Sequence, residues 1–159
     1  MLSKNMETFL CCDKEWEEAG TVLFGAPFDS TTSYRPGSRF GSSAIRRESY
    51  GIASYSPYPD RDLLDIAVLD SGDIELPLGD ASLSLEQIEE RAALMLEAGK
   101  RPFPLGGEQL GTLGVFLGGF AKFPDLPILP LDAPAALRAR SLGVLPAQRC
   151  RLRPGSGRG

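Results

Sequence analysis

The best-marked local element in this 159-residue chain is an amphipathic helix, and it limits what the chain can fold into. Ser84 and Gln87 have the spacing of a capping box, and Gly99 stands where helices commonly end. Apolar side chains recur between them at helical spacing, at Leu85, Ile88, Ala92, Met95 and Leu96. A helix with one apolar stripe needs a surface to cover, so we expect it to pack on a sheet.

Short apolar segments on both sides of this helix have the length of buried strands. They are residues 21–25, 66–69, 101–105 and 126–133, the second of them followed by a turn through Ser71 and Gly72. A shorter helix is expected between the first two, with Ser42 or Ser43 as its cap and Gly51 at its end. Strands that alternate with helices indicate an α/β protein, with a parallel sheet covered on both faces and ligand loops at the carboxyl ends of its strands.

Composition excludes fibrous and membrane classes. Apolar residues make up 42% of the chain and charged residues 24%, which is ordinary for a globular domain. The apolar runs are far shorter than the roughly 20 residues that cross a bilayer, and the N-terminus lacks the pattern of a signal peptide. We therefore expect a cytoplasmic protein. Cys11, Cys12 and Cys150 have neither a zinc-site spacing nor that of a disulfide framework, and are interpreted as reduced thiols.

The last residues differ in kind from the rest. Residues 137–159 hold six arginines and no acidic residue, whereas the residues before them carry 11 basic and 21 acidic side chains. This Arg/Gly/Pro-rich composition without apolar periodicity is typical of disorder. An arginine arm for nucleic acid is the alternative, but the interleaved aromatics and basic domain that usually accompany such an arm are absent. We therefore predict a domain over residues 1–136 and a disordered tail over 137–159, with nucleic acid disfavoured as a partner.

Three stretches in order resemble one family. "VLFGAPFDSTTSYRPGSRFGSSAIRRESYGI" is similar to the N-terminal segment of agmatinases, members of the ureohydrolase family with arginase. "LDSGDIELPLG" and "LGGEQLGTLG" continue the resemblance in the same order. The resemblance implies a three-layer α/β/α fold with a mainly parallel sheet, two Mn²⁺ ions at the carboxyl edge of that sheet, and a homo-oligomer. It also implies hydrolysis of agmatine to putrescine and urea, a step of polyamine biosynthesis.

The metal ligands that the resemblance implies are mostly replaced. Gln109 stands at the first histidine position, and an amide is a weak neutral donor. Asp132 matches the first aspartate of the next motif, but Pro134 and Ala136 stand where a histidine and a second aspartate belong. The later acidic pair would lie beyond Gly159, so we expect the chain to be truncated relative to the family. One carboxylate does not hold a divalent cation against water, so we expect no manganese binding and no activity from the chain as written.

Other candidate residues have two interpretations each. Residues 29–37 are either a substrate-facing loop or an ordinary turn, and Asp70 with Asp73 is either a metal pair or a turn with side-chain caps, the latter favoured. Glu108 follows a Gly-Gly pair that could cradle an anion, although the phosphate signal is weak without a P-loop lysine. Three arginines are either surface charges or ion-pair partners: Arg39, Arg46 and Arg47.

Proline in two predicted strands conflicts with the expected fold. Pro102, Pro104, Pro127 and Pro130 fall in or beside segments expected to be central strands, where proline removes a ladder donor. One explanation is gene decay or sequence error, because single-base changes relate the residues at 109, 130, 134 and 136 to His, His, His and Asp. The other explanation is a true pseudoenzyme. The alternative function is a non-catalytic binding or regulatory module that associates with an intact homologue.

Overall fold

The computed structural model describes residues 7–32 and 34–127. The chain divides into two compact units, Met1–Lys122 and Phe123–Gly159, and the helices and strands described here lie in the first. They are β1 (Thr21–Ala26), α1 (Gly41–Ser49), β2 (Tyr55–Ser56), β3 (Arg61–Asp62), β4 (Val68–Asp73), α2 (Ala81–Glu97), β5 (Arg101–Gly106) and α3 (Gly111–Lys122). Short 3₁₀ turns, Ser38–Phe40 and Leu63–Asp65, precede α1 and β4.

A parallel three-stranded sheet in the order β4-β1-β5 forms the centre of the first unit. Thr21 pairs with Val68 on one side and with Arg101 on the other, so β1 is the inner strand. Its run of Val22, Leu23 and Phe24 is buried, as expected for a strand covered on both faces. The predicted α/β class is therefore confirmed.

Helices cover both faces of this sheet. Val22, Phe24 and Ala26 of β1 pack in one cluster with Ile88 and Met95 of α2. Leu23 points to the opposite face, where it packs with Cys12, Val68 and Leu105. A Cβ added to Gly25 would lie 2.9 Å from the Cβ of Ser42, which places α1 on that second face. The arrangement is the predicted three-layer α/β/α fold with a parallel sheet.

The predicted caps of both helices are wrong by a few residues. The cap of α2 is Asp80, whose carboxylate accepts a hydrogen bond from the Leu83 amide at 2.9 Å. Ser84, predicted as the cap, is buried inside the helix and donates to the Asp80 carbonyl oxygen at 2.7 Å. Asp80 offers the same capping chemistry one turn earlier, and the turn at Pro77–Gly79 lets the helix begin there. The predicted end at Gly99 is confirmed by its φ of 75° and by the Lys100 amide, which donates to the Met95 carbonyl at 2.9 Å.

Helix α1 begins without a side-chain cap. Phe40 occupies the N-cap position, and Ser42 and Ser43, predicted as caps, lie within the helix. The preceding 3₁₀ turn leads the chain directly into α1, so no capping serine is required. Ser42 instead faces the sheet, which gives it the contact with β4 described below.

Strand β4 begins and ends later than predicted. Residues 66–69 were expected as the strand and Ser71–Gly72 as its exit, but β4 runs from Val68 through Asp73. The pairing of β1 with β4 shifts by one residue between Leu23 and Gly25 of β1. With this irregularity the polar "DSGD" sequence stays paired with β1 as part of the strand. The Ser71 hydroxyl donates to the Leu23 carbonyl oxygen at 2.9 Å. Both aspartates consequently belong to the sheet.

The two prolines of β5 are compatible with the sheet. The amides of Arg101 and Gly107 donate to the carbonyl oxygens of Gly20 and Ala26 at 3.0 and 3.1 Å, so odd-numbered residues of β5 point their N–H groups toward β1. Pro102 and Pro104 therefore point away from β1, toward the outer edge, where the ladder to β1 needs no donor. The expected conflict at these two residues is a misinterpretation, because β5 has a neighbour on one side alone among the described residues.

Several predictions fall outside the described residues. These include the fourth strand, Asp132, Pro134, Ala136, Cys150 and the tail 137–159. Cys11 and Cys12 are free thiols, and burial together with the nearby Asp70 raises the pKa of Cys12 to about 12. Among the helices described here, none is long and apolar enough to cross a membrane.

Candidate functional site

The loops that follow β1 and β5 lie at the carboxyl ends of two paired strands and form the candidate site. After β1 the chain leads to α1 on one face of the sheet, and after β5 it leads to α3, which packs against α2 on the other face. Loops that leave neighbouring strands toward opposite faces mark the topological switch point where open α/β sheets bind ligands. We define the crevice as the region between residues 27–32 and 34–37 on one side and residues 107–110 on the other, which together include the described part of the predicted loop and Gln109.

Asp29 organises the loop that follows β1. Its Oδ2 accepts hydrogen bonds from the Gly37 amide at 3.0 Å and from Arg39 Nε at 2.7 Å. The hydrogen bond from Arg39 is the main reason why the pKa of Asp29 lies below its ordinary value, with the Gly37 amide adding to the effect against the opposing influence of burial. The Thr32 hydroxyl donates to the Asp29 carbonyl oxygen at 3.0 Å. These contacts explain the loop's turn-rich composition, and whether it also faces a substrate stays a prediction.

Glu108 joins the two sides of the crevice. Its Oε1 accepts from the Thr31 amide at 3.0 Å and from the Thr31 hydroxyl at 2.5 Å. The amides of Gly107 and Glu108 are already used, because they donate to the carbonyl oxygens of Ala26 at 3.1 Å and Phe28 at 2.7 Å. These two amides are therefore not available to the anion cradle that the sequence weakly suggested. Gly107 serves close packing instead, since a Cβ there would lie 2.1 Å from the Phe28 carbonyl oxygen.

A buried charge network lies beneath the end of β4. Arg46 of α1 donates through Nε and Nη2 to the two carboxylate oxygens of Asp70, at 2.7 and 2.9 Å, and through Nη1 to Asp73. Burial alone would lower the pKa of Arg46, but its hydrogen bonds to Asp70 and Asp73 outweigh that effect and raise it. The Ser42 hydroxyl also donates to Asp73, at 2.9 Å. One arginine thus holds α1 to β4.

The same network reaches the N-terminal segment. The Phe9 amide donates to Asp70 Oδ2 at 2.8 Å, and the Gly72 amide donates to Asp70 Oδ1 at 3.0 Å. The Leu10 amide donates to the Ser49 hydroxyl at 2.9 Å. Asp70 therefore receives four hydrogen bonds inside the protein, which supports the structural interpretation of Asp70 and Asp73 over a metal pair.

The three arginines singled out in the sequence have different environments. Arg39 and Arg46 form ion pairs within the chain, whereas Arg47 is exposed on α1. The surface-charge interpretation is wrong for Arg46, whose side chain is 1% exposed. The sequence did not predict Thr31 as the hydrogen-bond partner of Glu108, nor Ser42 as that of Asp73. Ser42 could have been found, since it precedes Arg46 by four residues on one helical face, whereas no local pattern relates Thr31 to Glu108.

The described donors do not fit a two-metal centre. Gln109 is exposed at the turn before α3, and its backbone carbonyl oxygen accepts from the Thr112 amide at 3.1 Å. Asp29 and Asp70 are committed to arginines, and the chain has no histidine. Among residues 7–32 and 34–127, no group of three His, Cys, Asp or Glu side chains could hold a metal ion. The ligand set requires hard donors that this crevice does not bring together.

Comparison with known proteins gives a consistent set of relatives. The model of the arginase family matches residues 19–147. The agmatinase of Bacillus subtilis (strain 168) is 49% identical over 132 residues, which are 83% of this chain and 46% of that protein. A putative agmatinase from Clostridium difficile superposes with a TM-score of 0.75 at 40% identity, covering 78% of this chain and 45% of that one. The chain thus spans less than half the length of these relatives.

More distant proteins share the fold. A Trypanosoma cruzi formiminoglutamase solved with Mn²⁺ superposes with a TM-score of 0.69 at 21% identity, over 87% of this chain and 51% of that one. At this identity the similarity shows the fold alone. It agrees with the parallel sheet and the helices on its two faces.

Proposed function

The chain belongs to the arginase family, and on that premise we propose that it is part of an agmatinase-type ureohydrolase, a hydrolase of guanidino compounds such as agmatine. The 49% identity to an agmatinase over 132 residues is the observation that carries this proposal. The matched region contains the loop after β1 and the Gly-Gly-Glu segment after β5, the two sides of the crevice. Polyamine biosynthesis, a homo-oligomer and a cytoplasmic location are further parts of the proposal.

The chemistry of guanidine hydrolysis sets a demand that the described residues do not meet. A guanidinium group is a stabilised cation and a poor electrophile, and a hydroxide bridging two metal ions is a nucleophile strong enough to attack it at neutral pH. At the crevice, Gln109 offers an amide, and the carboxylates of Asp29 and Glu108 are occupied by Arg39 and Thr31. We therefore propose that this chain retains the crevice architecture without the catalytic centre, and that Mn²⁺, the cofactor expected for the family, does not bind stoichiometrically.

Measurements of bound Mn²⁺ and of released urea test the two parts of this proposal, the missing metal and the missing activity. We expect no stoichiometric Mn²⁺ at about micromolar free metal, because the described residues do not supply a set of hard ligands. We also expect no urea from agmatine. The variant Gln109→His with Pro134→His and Ala136→Asp should remain inactive at the present length, because the later acidic ligands are still missing. The Bacillus subtilis agmatinase, assayed in parallel, is the positive control.

Urea production by the triple variant would refute the requirement for the later acidic ligands while leaving the family assignment intact. Urea release from agmatine by the unmodified chain would refute both the proposed inactivity and the interpretation of Gln109 as a lost ligand. Urea release by the unmodified chain from a different guanidino compound alone would refute the proposed inactivity and would also change the proposed substrate.

A further inference from the structure

Residues 9–14 form a strap along the outer edge of β4. The Lys14 amide donates to the Val68 carbonyl oxygen at 3.2 Å, and the Asp70 amide donates to the Cys12 carbonyl oxygen at 2.8 Å. The strap makes one isolated antiparallel bridge to β4 and no longer ladder. Its backbone is therefore held on the sheet by few hydrogen bonds.

Three further contacts anchor the strap. The Phe9 amide donates to Asp70 Oδ2 at 2.8 Å, and the Leu10 amide donates to the Ser49 hydroxyl oxygen at 2.9 Å. Cys12 is the one fully buried residue of the strap, with 1% of its surface exposed, and it packs with buried side chains of β1, β4 and β5. The Cys12 side chain is thus the apolar anchor of the strap.

The rest of the first unit is complete without the strap. The larger apolar cluster, between the sheet and α2, contains no strap residue, and the arginase-family match begins after the strap, at residue 19. If the strap leaves, Asp70 keeps two hydrogen bonds from Arg46 and one from the Gly72 amide. The Ser49 hydroxyl keeps its bond to the Arg46 carbonyl oxygen at 2.6 Å. Opening of the strap therefore leaves no buried charge without a partner.

The docked strap contains a residue in an unfavourable backbone conformation. Cys11 has a φ of 59°, in the left-handed region that favours glycine. The Cys12 amide donates to the Phe9 carbonyl oxygen at 3.0 Å, so Cys11 is the third residue of a tight turn. Such a conformation persists only where the surrounding contacts impose it. Opening of the strap relieves this strain, which favours a local transition over unfolding of the whole unit.

We propose that the strap opens while the rest of the first unit stays folded, and that opening exposes Cys12 as a modification site for small thiol-reactive electrophiles. In the docked strap, burial raises the pKa of the Cys12 thiol to about 12, which keeps it protonated and unreactive. An added group on the sulfur does not fit the close-packed cluster that the thiol occupies. Modification therefore holds the strap open and uncovers the Val68 carbonyl and the Asp70 amide on the edge of β4.

Alkylation of Cys12 with iodoacetamide measures this opening. The chain has three cysteines, so Cys11→Ser with Cys150→Ser leaves Cys12 as the reacting thiol. The sulfur forms a bond to the methylene carbon, the carbon–iodine bond breaks, iodide leaves and the thiol proton passes to solvent. Mass spectrometry follows the rate at rising urea concentrations below the unfolding transition. We expect a nearly constant rate, because local opening exposes little surface, whereas labelling through global unfolding rises steeply with urea.

Matched variants test what holds the strap. Ser49→Ala removes the acceptor of the Leu10 amide, whereas Ser43→Ala makes the same change on α1 at a residue without a hydrogen bond to strap residues 9–14. We expect labelling of Cys12 to become about tenfold faster in Ser49→Ala, since one hydrogen bond is lost, and to stay unchanged in Ser43→Ala. Cys11→Gly in place of Cys11→Ser should slow labelling about fivefold, because glycine adopts a positive φ without strain. Rates are compared where circular dichroism shows each variant folded.

Hydrogen exchange of the labelled chain gives the second readout. We expect the Lys14 and Asp70 amides to exchange faster after labelling while the Val22 amide stays protected. Four results would overturn the proposal: no labelling of the folded chain, a rate that rises with the full urea dependence of unfolding, equal effects of the two alanine variants, or unchanged protection at Asp70 after labelling. Loss of protection at Val22 together with Asp70 would also overturn it, since Cys12 would then react through unfolding of the whole unit. These measurements use neither manganese nor agmatine, so the strap and the proposed function can fail separately.

Discussion

Arg46 is the centre of the network that joins α1, β4 and the N-terminal segment of the first unit. It links α1 to two positions of β4, and Asp70 extends the link to the N-terminal segment through the Phe9 amide. Burying a guanidinium is costly, so this arrangement is stable because Arg46 is paired with carboxylates and both carboxylates accept hydrogen bonds. The contribution of this network to the free energy of unfolding is measured by removing one partner, and it does not follow from the ion pair considered alone.

We expect Arg46→Ala to destabilise the fold by about 3–5 kcal/mol, because it leaves the buried Asp70 carboxylate without its cation. Arg47→Ala on the exposed side of the same helix is the control and should change stability by no more than about 0.5 kcal/mol. Urea denaturation monitored by circular dichroism measures both. Equal midpoints for the two variants would show that the network contributes little.

Asp29 makes the loop after β1 sensitive to acid. Its pKa is lower in the folded chain than the ordinary value of 3.8, mainly because Arg39 donates to the carboxylate. A depressed carboxyl pKa contributes stability that is complete above pH 3.8 and is lost as the pH falls through the lower folded value. We expect Asp29→Asn to be less stable than wild type at pH 7, with a difference that narrows below pH 3.8. A stability difference between the two proteins that stays constant over this pH range would show that the charge of Asp29 is not its cause.

At the scale of elements, glycine sets the distance between α2 and α3. A Cβ at Gly114 would lie 2.8 Å from the Leu85 carbonyl oxygen and 2.9 Å from Ile88, and one at Gly118 would lie 2.7 Å from the Glu89 carbonyl oxygen. These backbone contacts cannot move without separating the helices. The two helices form the layer that buries the β1 side chains Val22 and Phe24.

Gly114→Ala should therefore destabilise the chain by about 1–3 kcal/mol, the usual cost of overpacking. Gly111→Ala is a matched control on the same helix, because its added Cβ would meet no atom closer than 3.6 Å. That change should be neutral or stabilising, since alanine favours helix more than glycine does. Thermal denaturation of both variants separates the two effects, and a larger loss from Gly111→Ala would contradict the packing explanation.

For the whole molecule, the order of the strands in the sheet predicts which backbone amides are protected against hydrogen exchange. β1 has strands on both sides and helices on both faces, whereas the β2–β3 hairpin consists of four paired residues, none of which is buried. We expect the amides of Val22 and Phe24 to exchange slowest and those of Tyr55 and Ser56 fastest among the strands. Hydrogen exchange read by mass spectrometry measures this order directly. Comparable rates in β1 and in the hairpin would mean that the unit lacks a stable core.

Sequence patterns by themselves determined the alternation of strands and helices, the apolar stripe of α2 with its end at Gly99, and the α/β class. These features depend on contacts between residues a few positions apart, which periodicity and turn chemistry report. The family resemblance was also readable, because its motifs are local.

Tertiary structure alone decided the features that depend on distant residues. Asp80, and not Ser84, caps α2, because packing places Ser84 inside the helix. Strand β4 continues through Asp73 because Arg46 and Ser42 donate hydrogen bonds to the carboxylate at its polar end. The prolines of β5 fit because their missing donors point away from β1, a fact of strand order that no local pattern contains. Glu108 meets Thr31 across 77 residues for the same reason: the fold, and not the spacing, brings the two loops to one edge.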